Sequence, residues 1–227
     1  MDFGRVISEA TPLLLQGFRY TVIVSLIGIA IGIVIGLFVC LMNMSKSKIL
    51  RFIAGLYIWI IRGTPMLVQS YVIFFGIPQL IQTFMPEFRL DAFTAGIITL
   101  SLNAGAYLSE IFRSGIQAVP KGQTEAARSL GLSQSKTMIK VVLPQAFKIT
   151  IPSLVNQFII SVKDTSILSA IGLAELTNMT KQYVGKSFQF FASYVYLAAF
   201  YLAFVSLLML LSKYIEKRLK YERKSNS

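Results

Sequence analysis

Three short polar groups interrupt a chain otherwise rich in apolar residues: Arg62-Gly63-Thr64-Pro65, Asn103, and Lys163-Asp164-Thr165-Ser166. Together they offer a guanidinium, an ammonium, a carboxylate, hydroxyls and an amide, which suit recognition of a small charged solute by ion pairing and hydrogen bonding. They do not suit hydrolysis. The chain has no histidine, so a Ser/His/Asp nucleophile and histidine metal ligands are both excluded. With a single cysteine, Cys40, no disulfide framework exists and no zinc site is expected. A fourth polar stretch, Glu125-Ala126-Ala127-Arg128-Ser129-Leu130-Gly131 followed by Leu143-Pro144, offers a small docking helix in place of a reacting group.

The elements that position these groups follow from composition. Hydrophobic residues make up 55% of the 227 residues and charged ones only 14%, too little polar surface for a soluble domain. The chain therefore reads as an all-α, polytopic membrane protein forming a single transmembrane domain over 1–227. Apolar runs long enough to cross a ~30 Å hydrocarbon core place five spans at about 18–42, 52–82, 92–113, 149–172 and 190–212. Between the third and fourth lies a polar loop, 114–148. Asp2, Arg5 and Glu9 do not resemble a cleavable leader, so the N-terminus is expected to remain in the mature protein.

Five crossings put the termini on opposite sides. Lys46, Lys48 and Arg51, the basic residues from Arg113 to Lys148, and those from Lys213 to Lys224 share one side. Only Arg5, Arg19, Arg89, Lys181 and Lys186 fall on the other. The positive-inside rule makes the richer side cytoplasmic, with the N-terminus outside and the C-terminus inside. The net charge of +12 is then explained by orientation and anionic membrane lipid, and no nucleic-acid partner is expected.

The second apolar stretch is too long for one straight span, and Arg62-Gly63-Thr64-Pro65 supplies the break. Glycine ends a helix cheaply, Thr64 is expected to N-cap the next half-helix, and Pro65 to take its first position. Such a break survives only where protein or a water-filled cavity satisfies the freed backbone groups. At ~1.5 Å per residue, Arg62, Asn103 and Lys163-Asp164 reach similar depths, roughly 15–21 Å into their spans. They are expected to converge near the midplane as a substrate pathway of Arg62, Thr64, Asn103, Lys163, Asp164 and Thr165. The competing reading is an ion pair that only packs helices. Gly28, Gly32 and Gly36 mark a close helix approach, either within the subunit or at a homodimer seam.

In the polar loop, Gly122 is expected to precede a two-turn helix from Gln123 that Gly131 stops, and a second helix to run from after Ser133 to before Pro144. Ala126, Ala127 and Gly131 would leave small surfaces for a partner. Thr180 to Ser187 ends in Gly-Lys-Ser but lacks the first glycine of a phosphate-binding loop, so no nucleotide site is expected on this chain.

At these residues the chain resembles permease subunits of ATP-binding cassette importers, specifically those for polar amino acids. Glu125, Ala126, Ala127, Gly131, Leu143 and Pro144 match the EAA motif of that family. Arg62-Gly63-Thr64-Pro65, Pro120-Lys121-Gly122-Gln123 and Lys163-Asp164-Thr165-Ser166 are similar to its amino-acid branch. The likeness runs from about residue 10 to 212. It implies a five-span permease core in a bacterial cytoplasmic (inner) membrane. The implied partners are a second permease subunit, a cytoplasmic ATPase dimer and an external substrate-binding protein. ATP would be bound by the partner subunits, leaving this chain without a cofactor and not an enzyme in its own right. The EAA segment would then be the coupling helix. An ion-coupled secondary amino-acid transporter is the alternative that the broken span and Asp164 leave open.

Overall fold

The computed structural model describes residues 2–225, with side chains to residue 217. Among these residues the secondary structure is entirely helical. In chain order the helices are α1 (Phe3–Asn43), α2 (Lys48–Gly63), α3 (Met66–Gln82), α4 (Ala92–Gln117), α5 (Lys121–Ser129), α6 (Gln134–Ile171), α7 (Leu176–Ser187) and α8 (Phe190–Ser225). Four of them, α1, α4, α6 and α8, are long and apolar enough to cross a membrane, and the bent pair α2–α3 makes a fifth if it forms one span.

Side-chain caps set several of the starts. Asp2 accepts from Arg5 N at 3.0 Å, Asp91 from Thr94 N at 2.9 Å and Ser133 from Lys136 N at 3.4 Å, each satisfying an N–H that the helix itself cannot. Helix α1 begins well before the apolar run that marks its span. Its first turns form a core with α7 and the start of α8 through Val6, Ala10, Leu14, Leu176, Tyr183, Ala192 and Leu197. Glu175 caps α7 by accepting from Thr177 N at 2.9 Å and Asn178 N at 2.7 Å, and it also accepts from the Tyr201 hydroxyl at 3.1 Å. It is fully buried, and burial pushes its carboxyl above the ordinary range while those donors pull it back.

The centre of the fold is the α1–α4 contact. A Cβ on Gly28 would meet Leu100 at 2.8 Å, one on Gly32 would meet Ala104 at 3.0 Å, and one on Gly36 would meet Leu108 at 2.8 Å and the Gly105 carbonyl at 3.0 Å. The glycine stripe is thus spent inside the subunit. Around it, Val24, Ala95 and Leu100 pack with Met66 and Ile73 of α3 and with Leu168, Ile171 and Leu173, which draws the bent helix and the end of α6 onto the central pair.

Two helices widen locally in front of a proline. In α3 a π turn at Val72–Gly76 precedes Pro78, and in α6 another at Met138–Val142 precedes Pro144. A proline has no N–H for the carbonyl four residues back and its ring collides with that carbonyl; a wider turn relieves both. This corrects the expectation that the second loop helix ends before Pro144. The π turn lets the helix continue through Pro144 to Asp164, and a 3-10 segment at Thr165–Ile171 completes α6.

Gly36→Ala is expected to destabilise the folded chain by about 1–3 kcal/mol through overpacking. Gly55→Ala, where no atom lies within 4 Å of the added carbon, should be neutral or slightly stabilising. Thermal unfolding in detergent compares the two, and equal effects would contradict a packing role for the stripe.

Candidate functional site

The chain turns by 105° between α2 and α3, and the turn leaves backbone carbonyls without helical partners. One buried amide answers two of them. Gln69 Nε2 donates to the Ile61 carbonyl at 2.7 Å, to the Thr64 carbonyl at 3.0 Å and to Thr64 Oγ1 at 3.0 Å. Its own oxygen accepts from Asn103 Nδ2 of α4 at 3.1 Å, so the neighbouring helix orients the amide. Tyr57 on α2 donates to the Leu102 carbonyl of α4 at 2.6 Å, one turn from the same place.

Thr64 does not N-cap α3 as expected. It closes α2, with its hydroxyl donating to the Ile60 carbonyl at 2.8 Å, and Pro65 takes the position before α3 with no side-chain cap. The hydroxyl serves the free carbonyl end of α2 because Gln69 already occupies it as an acceptor.

Beside the break lies a cavity of about 440 Å³, lined by Thr64, Pro65, Met66, Asn103, Tyr107, Gln157, Ile160, Asp164 and Ile167. Of the six expected pathway residues, Thr64, Asn103 and Asp164 line it together and Arg62, Lys163 and Thr165 do not. Successive side chains on a helix diverge by about 100°, and of this pair only Asp164 lines the cavity: Lys163 is exposed outside it. Thr165 is buried, with its hydroxyl donating to the Val162 carbonyl at 2.7 Å.

Arg62 corrects the depth estimate. Its guanidinium carbon lies 5.3 Å from the Tyr107 ring centroid, and Nη1 is 3.9 Å from Glu110 Oε2. It therefore sits one to two turns along α4 from Asn103, toward α5. Depth counted along each helix missed this because the 105° bend takes α2 out of register with the others. Gln157, Ile160 and Ile167 were also missed, although with Asp164 they recur every three or four residues on one face of α6, a periodicity that marks them.

In the loop, α5 begins at Lys121, with Pro120 just before it, two positions earlier than expected. Gly131 stops it with φ at +83°, and Leu132 N donates back to the Ala127 carbonyl at 3.2 Å, a left-handed ending that suits glycine. Glu125 and Ala126 are exposed and Leu130 is 84% exposed, whereas Ala127 is buried within this chain and is no partner surface. Beneath the loop, Val119, Val142 and Ala146 form a small core. Leu143 and Pro144 stand where the π turn rejoins the α-helix.

Membrane-length helices, a bent helix pair beside a cavity into which a few polar side chains project, and an exposed short helix in the longest connection define a helical membrane transport component. The chain belongs to the family of binding-protein-dependent transport system inner membrane components, whose model matches residues 28–221. It is 40% identical over 209 residues to the L-cystine transport system permease protein TcyB of Bacillus subtilis, covering 92% of this chain and 87% of that protein. It is 37% identical over 211 residues to the glutamine transport system permease protein GlnP of Escherichia coli, covering 93% and 94%. Among solved structures, a crystal structure of an amino acid ABC transporter superposes with TM-score 0.89 at 38% identity, over 96% of this chain and 99% of that one. The MetNI methionine ABC transporter, at TM-score 0.76, 19% identity and coverage of 92% and 97%, shares the fold.

Gln69→Leu should leave the Ile61 and Thr64 carbonyls unpaired and cost about 2–5 kcal/mol, while Asn103→Leu, which removes only the orienting bond, should cost about 1 kcal/mol. Thermal unfolding of the purified protein tests the order. A larger loss at position 103 would show that Gln69 does not carry the joint.

Proposed function

We propose that this chain is the transmembrane permease subunit of an ATP-driven importer for polar amino acids. It contributes the cavity at the helix break to the translocation pathway and transmits ATPase closure through α5. The observation that carries this is the placement of Thr64, Asn103 and Asp164 around one cavity, in a chain similar over nine-tenths of its length to permeases for cystine and glutamine. Asp164 supplies a carboxylate for a substrate ammonium, and Asn103, Gln157 and Thr64 supply amides and a hydroxyl for the remaining polar atoms.

In this reading a second permease subunit, identical or related, completes the pathway. Two cytoplasmic ATPase subunits bind ATP, and an external binding protein delivers the solute. The basic loops support a cytoplasmic α5 and C-terminus with the N-terminus outside. Helix α5 presents Glu125, Ala126 and the exposed Leu130, held by the Gly131 turn and the π turn at Leu143-Pro144, as the segment that enters the ATPase. Alternation between two packed arrangements of the halves then moves the cavity's opening from one side to the other.

The complex, reconstituted in liposomes with its ATPase and binding protein, should take up an amino acid only when ATP is supplied. Uptake driven by an imposed ion gradient without ATPase would favour the secondary-transporter alternative instead. Asp164→Asn should lower uptake at least about tenfold, the loss of one charge-assisted hydrogen bond, with ATPase assembly intact. Gly131→Val, strained at its positive φ, should reduce ATPase docking or uncouple hydrolysis from uptake. Unchanged uptake in the first and normal coupling in the second would remove both assignments.

A further inference from the structure

Two guanidinium groups compete for one carboxylate at the edge of the cavity. Arg113 holds Glu110 with two hydrogen bonds, Nε to Oε1 at 3.0 Å and Nη2 to Oε2 at 2.8 Å, and donates to Gln117 Oε1 at 3.1 Å. Arg62 reaches the same Oε2 only at 3.9 Å, too far for a hydrogen bond. The site therefore carries excess positive charge, and it resides on Arg62.

Arg62 is nevertheless held in place. Its guanidinium lies over the Tyr107 ring, and the opposing helix supplies that ring. Seating on an aromatic face uses none of the in-plane N–H donors that match a carboxylate in pairs. The side chain is 44% exposed on this subunit, which leaves those donors uncovered by the chain itself. Tyr107 both lines the cavity and supports Arg62. Glu110 and Arg113 follow along α4 toward Gln117, beyond which the chain enters α5. The cluster thus stands between the cavity and the α5 side of the bundle.

We propose that Arg62, seated on Tyr107 and contested by Glu110, is a carboxylate-selective gate on the α5 side of the cavity. A solute bearing a carboxylate replaces Glu110 as the partner of Arg62 when it leaves in that direction, and a purely cationic solute is repelled. This rests on the transport reading and adds to it a direction and a charge rule. Glu110 is a positioning residue: it opposes the gate by competing for the cation, and so its removal and the removal of Arg62 have opposite effects.

The test uses the permease assembled with its ATPase partners, bearing Ile160→Cys in the cavity wall and Cys40→Ser. Rates of thiol modification are compared for an anionic sulfonate-bearing and a cationic trimethylammonium-bearing methanethiosulfonate. Arg62→Gln should lower the anionic-to-cationic rate ratio about tenfold, the effect of one unit charge a few ångströms away in a partly hydrated site. Arg62→Lys should keep it within about threefold, and Glu110→Gln should raise it. Ratios that fall together in Arg62→Gln and Glu110→Gln, or that move in neither, overturn the gate; if Arg62→Gln does not assemble, a Glu110→Gln ratio that fails to rise does so alone. ATP-driven uptake of L-glutamine and L-cystine by the unsubstituted complex is measured in parallel. Uptake without the opposite-sign signature removes the gate only, whereas the signature without uptake of either solute removes the transport reading it rests on.

Discussion

The contact between Gln69 and the backbone at the α2–α3 joint is the interaction on which the rest of the structure depends. A chain that bends by 105° leaves backbone carbonyls without helical partners, and protein or a water-filled cavity must satisfy them. One amide side chain answers the Ile61 and Thr64 carbonyls and the Thr64 hydroxyl at once, and Asn103 fixes which way that amide points. The cavity lies beside the joint, where α2 holds α4 through Tyr57 and α3 packs on it through Met66 and Ile73. Asn103 therefore has two faces to its role: it secures the joint and it lines the space that the joint opens.

The remaining architecture supports that joint from outside. The glycine stripe of α1 lets α4 approach closely enough to form a rigid central pair, so Asn103 and Tyr107 project from a fixed base. The π turns before Pro78 and Pro144 accommodate the prolines while α3 and α6 stay continuous. Continuity of α6 connects the small core under α5 to Gln157, Ile160 and Asp164 through one helix. In the proposed function this is a direct mechanical route, since a displacement at α5 is carried by a rigid element to the cavity wall.

Much of the candidate site was legible in the residues, and the failures have identifiable physical causes. Ionisable and amide groups inside apolar runs are costly enough to mark a site, which is how Asn103 and Asp164 were found, and Thr64 stood out as part of the helix break. Lys163 and Thr165 share a polar tetrad with Asp164 in the sequence, but adjacent positions on a helix face different neighbours. Gln157 was overlooked because a single glutamine in an amphipathic stretch carries no charge signal, although its spacing from Asp164 was visible. Gln69, the most consequential residue of the joint, resembles any polar residue near a helix break until its partners are seen. The small loop helix and its Gly131 stop were recognisable because capping is local chemistry; the passage of the helix through Pro144 was not, because proline was read as a helix stop and the π turn that accommodates it has no sequence signature of its own.

By itself the sequence determined that the chain is helical and membrane-embedded, where its apolar runs lie, where the second span must break and which loop carries a short capped helix. Each of these follows from hydrophobic length, backbone preference or capping within a few residues. Only the tertiary structure decided which polar residues meet. The 105° bend moves Arg62 away from the level of Asn103 and onto Tyr107 and Glu110, helical rotation separates Lys163 from Asp164, and the glycine stripe is consumed by α4 of the same chain. Those outcomes depend on the relative placement of helices distant in sequence, set by close packing and by satisfaction of buried backbone groups, which no local pattern encodes.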